Sequence, residues 1–288
     1  MPVINQQTQQ NQTPPITGNP IDRIRKVTAM PINRITMSLY GRPKTGKTRL
    51  ISTFPKPVLI IGTEDGTMSI RNVDGVEFVQ IIHTREVPLL VQHGNVKGFK
   101  TIAMDNCTMY QSLVLAEMLG LDKVPLQHQR GVMKKVDNQE YSALTKEGLN
   151  ELLKFKGNVV FTAHERNFDD KPKDDEGNTQ VTNTATDSIM PTITSSLSKG
   201  VCGWLNGICD YVCQTFIRQL AVEQDFGEGL KNVVLTDDGE YCLRIGAHPV
   251  YMTGFRIPVG AAMPNSIVDP SYAKILEVIT GKYKEPKK

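Results

Sequence analysis

The chain has 288 residues, a formal net charge of +3, 39% hydrophobic and 22% charged residues. That is enough apolar chain for a sizeable core in one large domain or two small ones, and the near-balanced charge argues against a general cationic coat, so any basic site must be local. Five cysteines without a C-x-x-C pair argue against both a zinc site and a disulfide framework.

Residues 1–20, rich in Gln, Asn, Thr and Pro, offer almost nothing to bury and predict a disordered tail. They show neither a basic n-region nor an apolar h-region, and no later run reaches the roughly 18 apolar residues of a membrane span. The expectation is a cytoplasmic protein with reduced thiols and no membrane contact. From Ile21 onward the apolar runs "ITMSLY", "PVLIIG", "VEFVQII", "TIAMD" and "NVVFTA" alternate with helical or turn segments. That alternation predicts an α/β fold with a mainly parallel central sheet and helices on both faces.

Predicted helices run from Lys47 to Thr53, Thr108 to Leu119, and Asn138 to Phe155, where Tyr141, Leu144, Leu149, Leu152 and Leu153 share one face before Gly157. The stretch from Leu90 to Asp105 leaves little room for a further element. Beyond Asn167, "FDDKPKDDEGNTQVTNTATDS" is too long and too polar for a buried element and predicts a mobile loop near the active face. "DYVCQTFIRQL" and "EYCLRIG" predict later strands, "PSYAKILEVIT" a closing helix with Pro in its first turn, and residues 281–288 a solvated basic tail.

One motif carries the chemistry. "GRPKTGKT", Gly41 to Thr48, is G-x-x-x-x-G-K-[ST] in full, set between a predicted strand and a predicted helix. Gly41, Arg42, Pro43, Lys44, Thr45 and Gly46 form a turn whose available backbone N–H groups close around a phosphate at the helix N-terminus. Lys47 reaches the β- and γ-phosphates, and Thr48 offers its hydroxyl to Mg²⁺. The cofactors expected are therefore ATP and Mg²⁺.

A carboxylate on a neighbouring strand must hold the metal's water shell, and "KTIAMDN" supplies Asp105. Asn106 follows it where many such ATPases have Glu, so a water-activating base must come from elsewhere. Glu64, just past "PVLIIG", is the candidate, with Asp65 as its competitor; either is alternatively a turn acid before Gly66. His164, at the end of "NVVFTA", is a candidate sensor of the γ-phosphate or a structural histidine.

The order "GRPKTGKT", "VLIIGTE", "TIAMDN" and "VVFTAHE", then a long polar loop, resembles the RecA-like P-loop NTPase core across about Asn33 to Pro258. It looks most like small phage-encoded nucleotide-binding proteins of that class, among them single-strand-DNA-dependent ATPases of recombination and annealing. The resemblance implies a RecA-like ATPase domain over residues 21–280, Mg²⁺-dependent ATP hydrolysis stimulated by single-stranded DNA, a homo-oligomeric ring or filament, and residence in a host cytoplasm. It implies that a late basic residue reaches a neighbour's γ-phosphate, for which Arg256 in "GFRIP" matches best, with Arg244 behind it. The acidic post-sensor loop makes a poor DNA contact, so Lys123, Arg130, Lys134 and Lys135, just before the Asn138 helix, are the candidate DNA residues or a solvated charge cluster. A small-molecule kinase and a nucleotide-gated assembly protein with little turnover are the alternatives.

Overall fold

The computed structural model describes residues 34–120, 137–167, 193–225 and 231–284. The N-terminal tail, the candidate DNA residues Lys123, Arg130, Lys134 and Lys135, and the polar segment after Asn167 lie outside the described residues. Strand β1 (Thr36–Gly41) leads through the phosphate loop into helix α1 (Lys47–Ile51), and β2 (Val58–Gly62) and β3 (Val76–Gln80) follow. Next come α2 (Glu86–Lys97), β4 (Thr101–Met104), α3 (Cys107–Met118), α4 (Asp137–Leu152) and β5 (Asn158–Asn167). The second half comprises β6 (Ile193–Ser195), α5 (Lys199–Ile208), β7 (Tyr211–Asp225), β8 (Lys231–Arg244), β9 (Gly254–Phe255), β10 (Ser266–Val268) and α6 (Tyr272–Ile279).

The sheet order is β10-β8-β7-β1-β5-β4-β2-β3. The run from β7 to β3 is parallel, and β8 and β10 extend it antiparallel beyond β7. Strand residues alternate between two apolar layers. Tyr40, Leu59, Ile61, Ile102, Met104, Val159 and Phe161 pack under α2, α3, α4 and α5. Met37, Leu39, Val58, Ile60, Ala103 and Val160 face α1 and α6. Both faces being covered is why these strands read as near-continuous apolar runs. The fold is α/β, with a mainly parallel central sheet and helices on both faces, as the sequence predicts.

Two contacts fix the helical layer. Arg34 donates from Nη1 to the carbonyls of Leu153 and Phe155, at 2.9 and 2.8 Å, and so caps the end of α4 where orphan acceptors collect. Tyr110 of α3 is fully buried against Gly148 of α4, where an added Cβ would sit 1.8 Å from the phenol oxygen. Only glycine permits that approach.

Helix α2 corrects the expectation of little room before β4. Its sequence, "EVPLLVQHGNVK", carries Pro88 in the first turn, where no N–H partner is lost. Gly94 lies against the Phe155 ring, a packing role that an interior glycine's low helix propensity conceals. Helix α5, with three glycines, likewise escaped the periodicity argument, although Val201, Cys202 and Leu205 form its buried face. Past α6, the Tyr283 side chain packs on the α1/α6 layer.

Candidate functional site

The carboxyl ends of the parallel strands form one edge, and register places the site residues along it. Gly41 at the end of β1 is level with His164 of β5 and Thr215 of β7. Asp105 follows the last residue of β4, and Glu64 lies two residues past β2. Such an edge is where ligands bind in open α/β sheets.

The loop is braced from β7. The Thr45 hydroxyl donates to the Arg42 carbonyl at 2.7 Å and lies 2.7 Å from the Thr215 hydroxyl. A Cβ at Gly41 would meet Thr215 Oγ1 at 2.3 Å and the Thr215 carbonyl oxygen at 2.4 Å. The first glycine of the motif is thus required by a backbone-to-backbone approach. Gly46, at φ +86°, takes the left-handed turn into α1.

Lys47 is 7% exposed and donates from Nζ to the carbonyls of Gly41 at 2.9 Å and Arg42 at 2.7 Å. Burial pulls its ammonium below the usual lysine value, against the opposing pull of Asp105 and Glu165. A buried cation held only by neutral carbonyls, at a helix N-terminus, is matched to an incoming anion.

Asp105 is held from two sides. Thr48 donates from Oγ1 to Oδ2 at 2.6 Å, and Thr162 donates from Oγ1 to Oδ1 at 2.6 Å. The two residues expected to meet Mg²⁺ are therefore in direct contact, and the hard oxygen donors suit that ion. Thr162 was missed in the sequence, although a hydroxyl two residues before His164 in an otherwise apolar buried strand was a visible signal.

Asn106 does not supply a base. Its side chain caps α3 by accepting from the Met109 N–H at 2.9 Å, which turns its Nδ2 toward His164 Nε2 at 3.4 Å. Nε2 accepts in that contact, and Nδ1 is buried without a hydrogen-bond partner among the described residues. Burial and the Lys47 charge hold His164 below the usual histidine value, with Glu64 and Asp105 pulling the other way. The imidazole is neutral near pH 7.

Glu64 is exposed and lines a cleft of about 210 Å³ together with Lys47, Thr48, Asp105, Asn106 and His164. Asp65 instead closes a local turn, accepting from Thr67 Oγ1 at 2.6 Å and Thr67 N–H at 3.2 Å. The turn-acid role therefore falls to Asp65. Pro43 and Lys44 form the exposed rim of the same cleft. A larger cavity of about 410 Å³, between α2, α3 and α4, is lined by Glu117, Glu147 and Glu151, the wrong charge for a phosphate.

Arg42 pairs with Glu165 at 2.7 Å, Gln214 donates to the other Glu165 oxygen at 3.0 Å, and Arg244 donates to Gln214 at 3.1 Å. This chain ties the loop to β5, β7 and β8. Arg256, the residue expected to reach a neighbour's γ-phosphate, does not line this chain's own cleft. It pairs with Asp210 at 2.6 Å, before the first residue of β7, while the loop is level with Thr215 further along that strand. Of the two late arginines, Arg244 is the one the sheet delivers to the loop's edge. Any approach of Arg256 to a neighbour's site concerns an assembly.

Among the described residues no helix is long and apolar enough to cross a membrane. No curated relative matches the sequence. Among solved structures, the KaiC-like protein PH0186 from the hyperthermophilic archaeon Pyrococcus horikoshii OT3 is similar at 12% identity and a TM-score of 0.41, over 82% of this chain and 89% of that one. Residues 33–255, most of the chain, match the family described as AAA domain, and the protein belongs to that family, with a P-loop ATPase-type domain as its body.

Proposed function

We propose that the protein binds ATP with Mg²⁺ beneath Gly41–Thr48, hydrolyses it, and couples turnover to single-stranded DNA as a homo-oligomer. The observation that carries the hydrolytic part is the Thr48–Asp105–Thr162 contact, because it joins the phosphate loop directly to an oriented carboxylate. Lys47 exchanges its two carbonyl partners for phosphate oxygens. Thr48 and Asp105 hold the metal and its waters. When bound there, Mg²⁺ neutralises charge that builds on the phosphoryl oxygens. Glu64 orients the attacking water and accepts its proton, and neutral His164 responds to the terminal phosphate.

The coupling to DNA is supported by the resemblance to phage recombination ATPases and by topology. Glu165 pairs with Ser195 and Asn167 with Ile193, so the segment 168–192 leaves and returns at the edge that holds His164. A change at the terminal phosphate is thereby adjacent to both ends of that segment. The basic residues Lys123, Arg130, Lys134 and Lys135 are the proposed backbone contacts.

The test is steady-state ATP hydrolysis with and without Mg²⁺ and single-stranded oligonucleotide, alongside oligonucleotide binding at several salt concentrations. Each phosphate contact contributes a slope of about 0.7 in log affinity against log salt, so replacing Lys134 and Lys135 with Gln flattens the slope by roughly 1 to 1.5. Mg²⁺-dependent turnover that ignores DNA, with no oligonucleotide bound at low salt, removes the DNA role and leaves the ATPase.

A further inference from the structure

The cleft that holds the phosphate chemistry does not end at Thr48. It continues into a second cavity of about 470 Å³, and the two share Lys44, Lys47, Thr48 and Gly66. Tyr241 and Met68 line this second space and not the first. Tyr241 comes from β8, a strand that gives nothing to the phosphate or metal positions. Its neighbours Cys242 and Leu243 are fully buried, yet Tyr241 is 37% exposed.

The ring is placed rather than loose. A Cβ at Gly46 would lie 3.1 Å from its Cδ1, so the second glycine of the loop leaves room for this phenol as well as for the turn. The Arg49 guanidinium stands over the ring at 5.4 Å from the centroid and is tethered to Asp269 at 3.2 Å. Met68, 76% exposed, adds a polarisable thioether to the lining of the same cavity. An aromatic face, a guanidinium and a thioether around an open slot are the chemistry that receives a flat heteroaromatic ring.

We propose that Tyr241, with Arg49 and Met68 beside it, is the platform for the nucleobase, and that the site takes purine nucleoside triphosphates as a class. The inference rests on the phosphate reading above. A nucleotide whose terminal phosphate meets Lys47, Asp105 and Glu64 runs along Thr48 toward Arg49, and its base emerges in this second cavity. Stacking supplies a π-face rather than a donor and acceptor code, so larger bases are held better than smaller ones. Strand β8 is thereby part of the nucleotide site, although it lies beyond the parallel run.

The experiment is calorimetric titration of full-length wild type, Tyr241→Ala and Tyr241→Phe with ATP, CTP and inorganic triphosphate, each with Mg²⁺. Base stacking on an aromatic side chain contributes enough that Tyr241→Ala weakens ATP binding by at least about fivefold, while Tyr241→Phe stays within about twofold of wild type. Inorganic triphosphate, which has no base, binds both variants as it binds wild type, and wild type prefers ATP to CTP. Unchanged ATP affinity in Tyr241→Ala overturns the platform. Equal weakening of ATP and triphosphate overturns it too, because the ring would then only brace Gly46. Wild type that binds neither ligand overturns the phosphate reading together with this one.

Discussion

Replacing Thr162 with Val removes one hydroxyl and almost no volume, from a side chain that is fully buried. The hydroxyl has one proton and two acceptors in reach, the Met104 carbonyl at 3.3 Å and Asp105 Oδ1 at 2.6 Å, and the shorter contact to the carboxylate wins. A hydrogen bond to a charged group contributes about 1.5–3 kcal/mol, so Thr162→Val lowers stability by that amount. At roughly 2–4 °C per kcal/mol for a domain of this size, the Tm falls by roughly 3–12 °C. Asp105 keeps its bond from Thr48, so it stays near the loop but is free to rotate. Loss of such a supporting partner typically costs about 10–100-fold in metal affinity, so half-maximal activity needs at least about tenfold more Mg²⁺. The assay is ATP hydrolysis against Mg²⁺ concentration, with nucleotide binding in a chelator as the control. Thr162→Ser restores the wild-type midpoint if the hydroxyl is what matters. A folded Thr162→Val protein with an unchanged Mg²⁺ midpoint refutes the positioning of Asp105 by Thr162.

Glu64→Gln keeps nucleotide affinity and slows hydrolysis by about 10² or more, the contribution of a positioned base; single-turnover rates check it, and a slow Asp65→Asn beside a normal Glu64→Gln reverses the assignment. His164 has a folded-state pKa below its unfolded value, so the unfolded chain binds the extra proton and stability falls as pH drops from above about 6.5 toward the folded-state value. Thermal melts from pH 8 to 5 should show wild type losing more stability than His164→Gln; parallel curves would show that this histidine is not held neutral.

The parallel core was legible because both faces are covered. Strands such as "VLIIG" are then apolar without interruption, and a phosphate loop needs a fixed spacing that a sequence displays directly. Asp105 and His164 were found by the same logic, since each ends an apolar run at the carboxyl edge. What was hidden depends on contacts across the sheet. Thr162 and Thr215 act through partners more than fifty residues away, so a hydroxyl within an apolar run is their whole local signal and does not name the partner. Tyr241 acquires meaning only when β8 returns beside Gly46. Helix α2 hid behind Pro88 and Gly94, residues whose low propensity is offset by position and packing. Arg256 was named from a motif's place in the chain, and its pairing with Asp210 just before β7 could not be read from that place.

The central claim is that Lys47 is a buried cation waiting for phosphate, and equilibrium binding of a fluorescent ATP analogue to wild type and Lys47→Ala, each with Mg²⁺, measures it most directly. Losing a charge-assisted contact of about 1.5–3 kcal/mol predicts at least about tenfold weaker binding by Lys47→Ala, in a protein that still melts cooperatively. Equal affinities in two folded proteins would contradict the account.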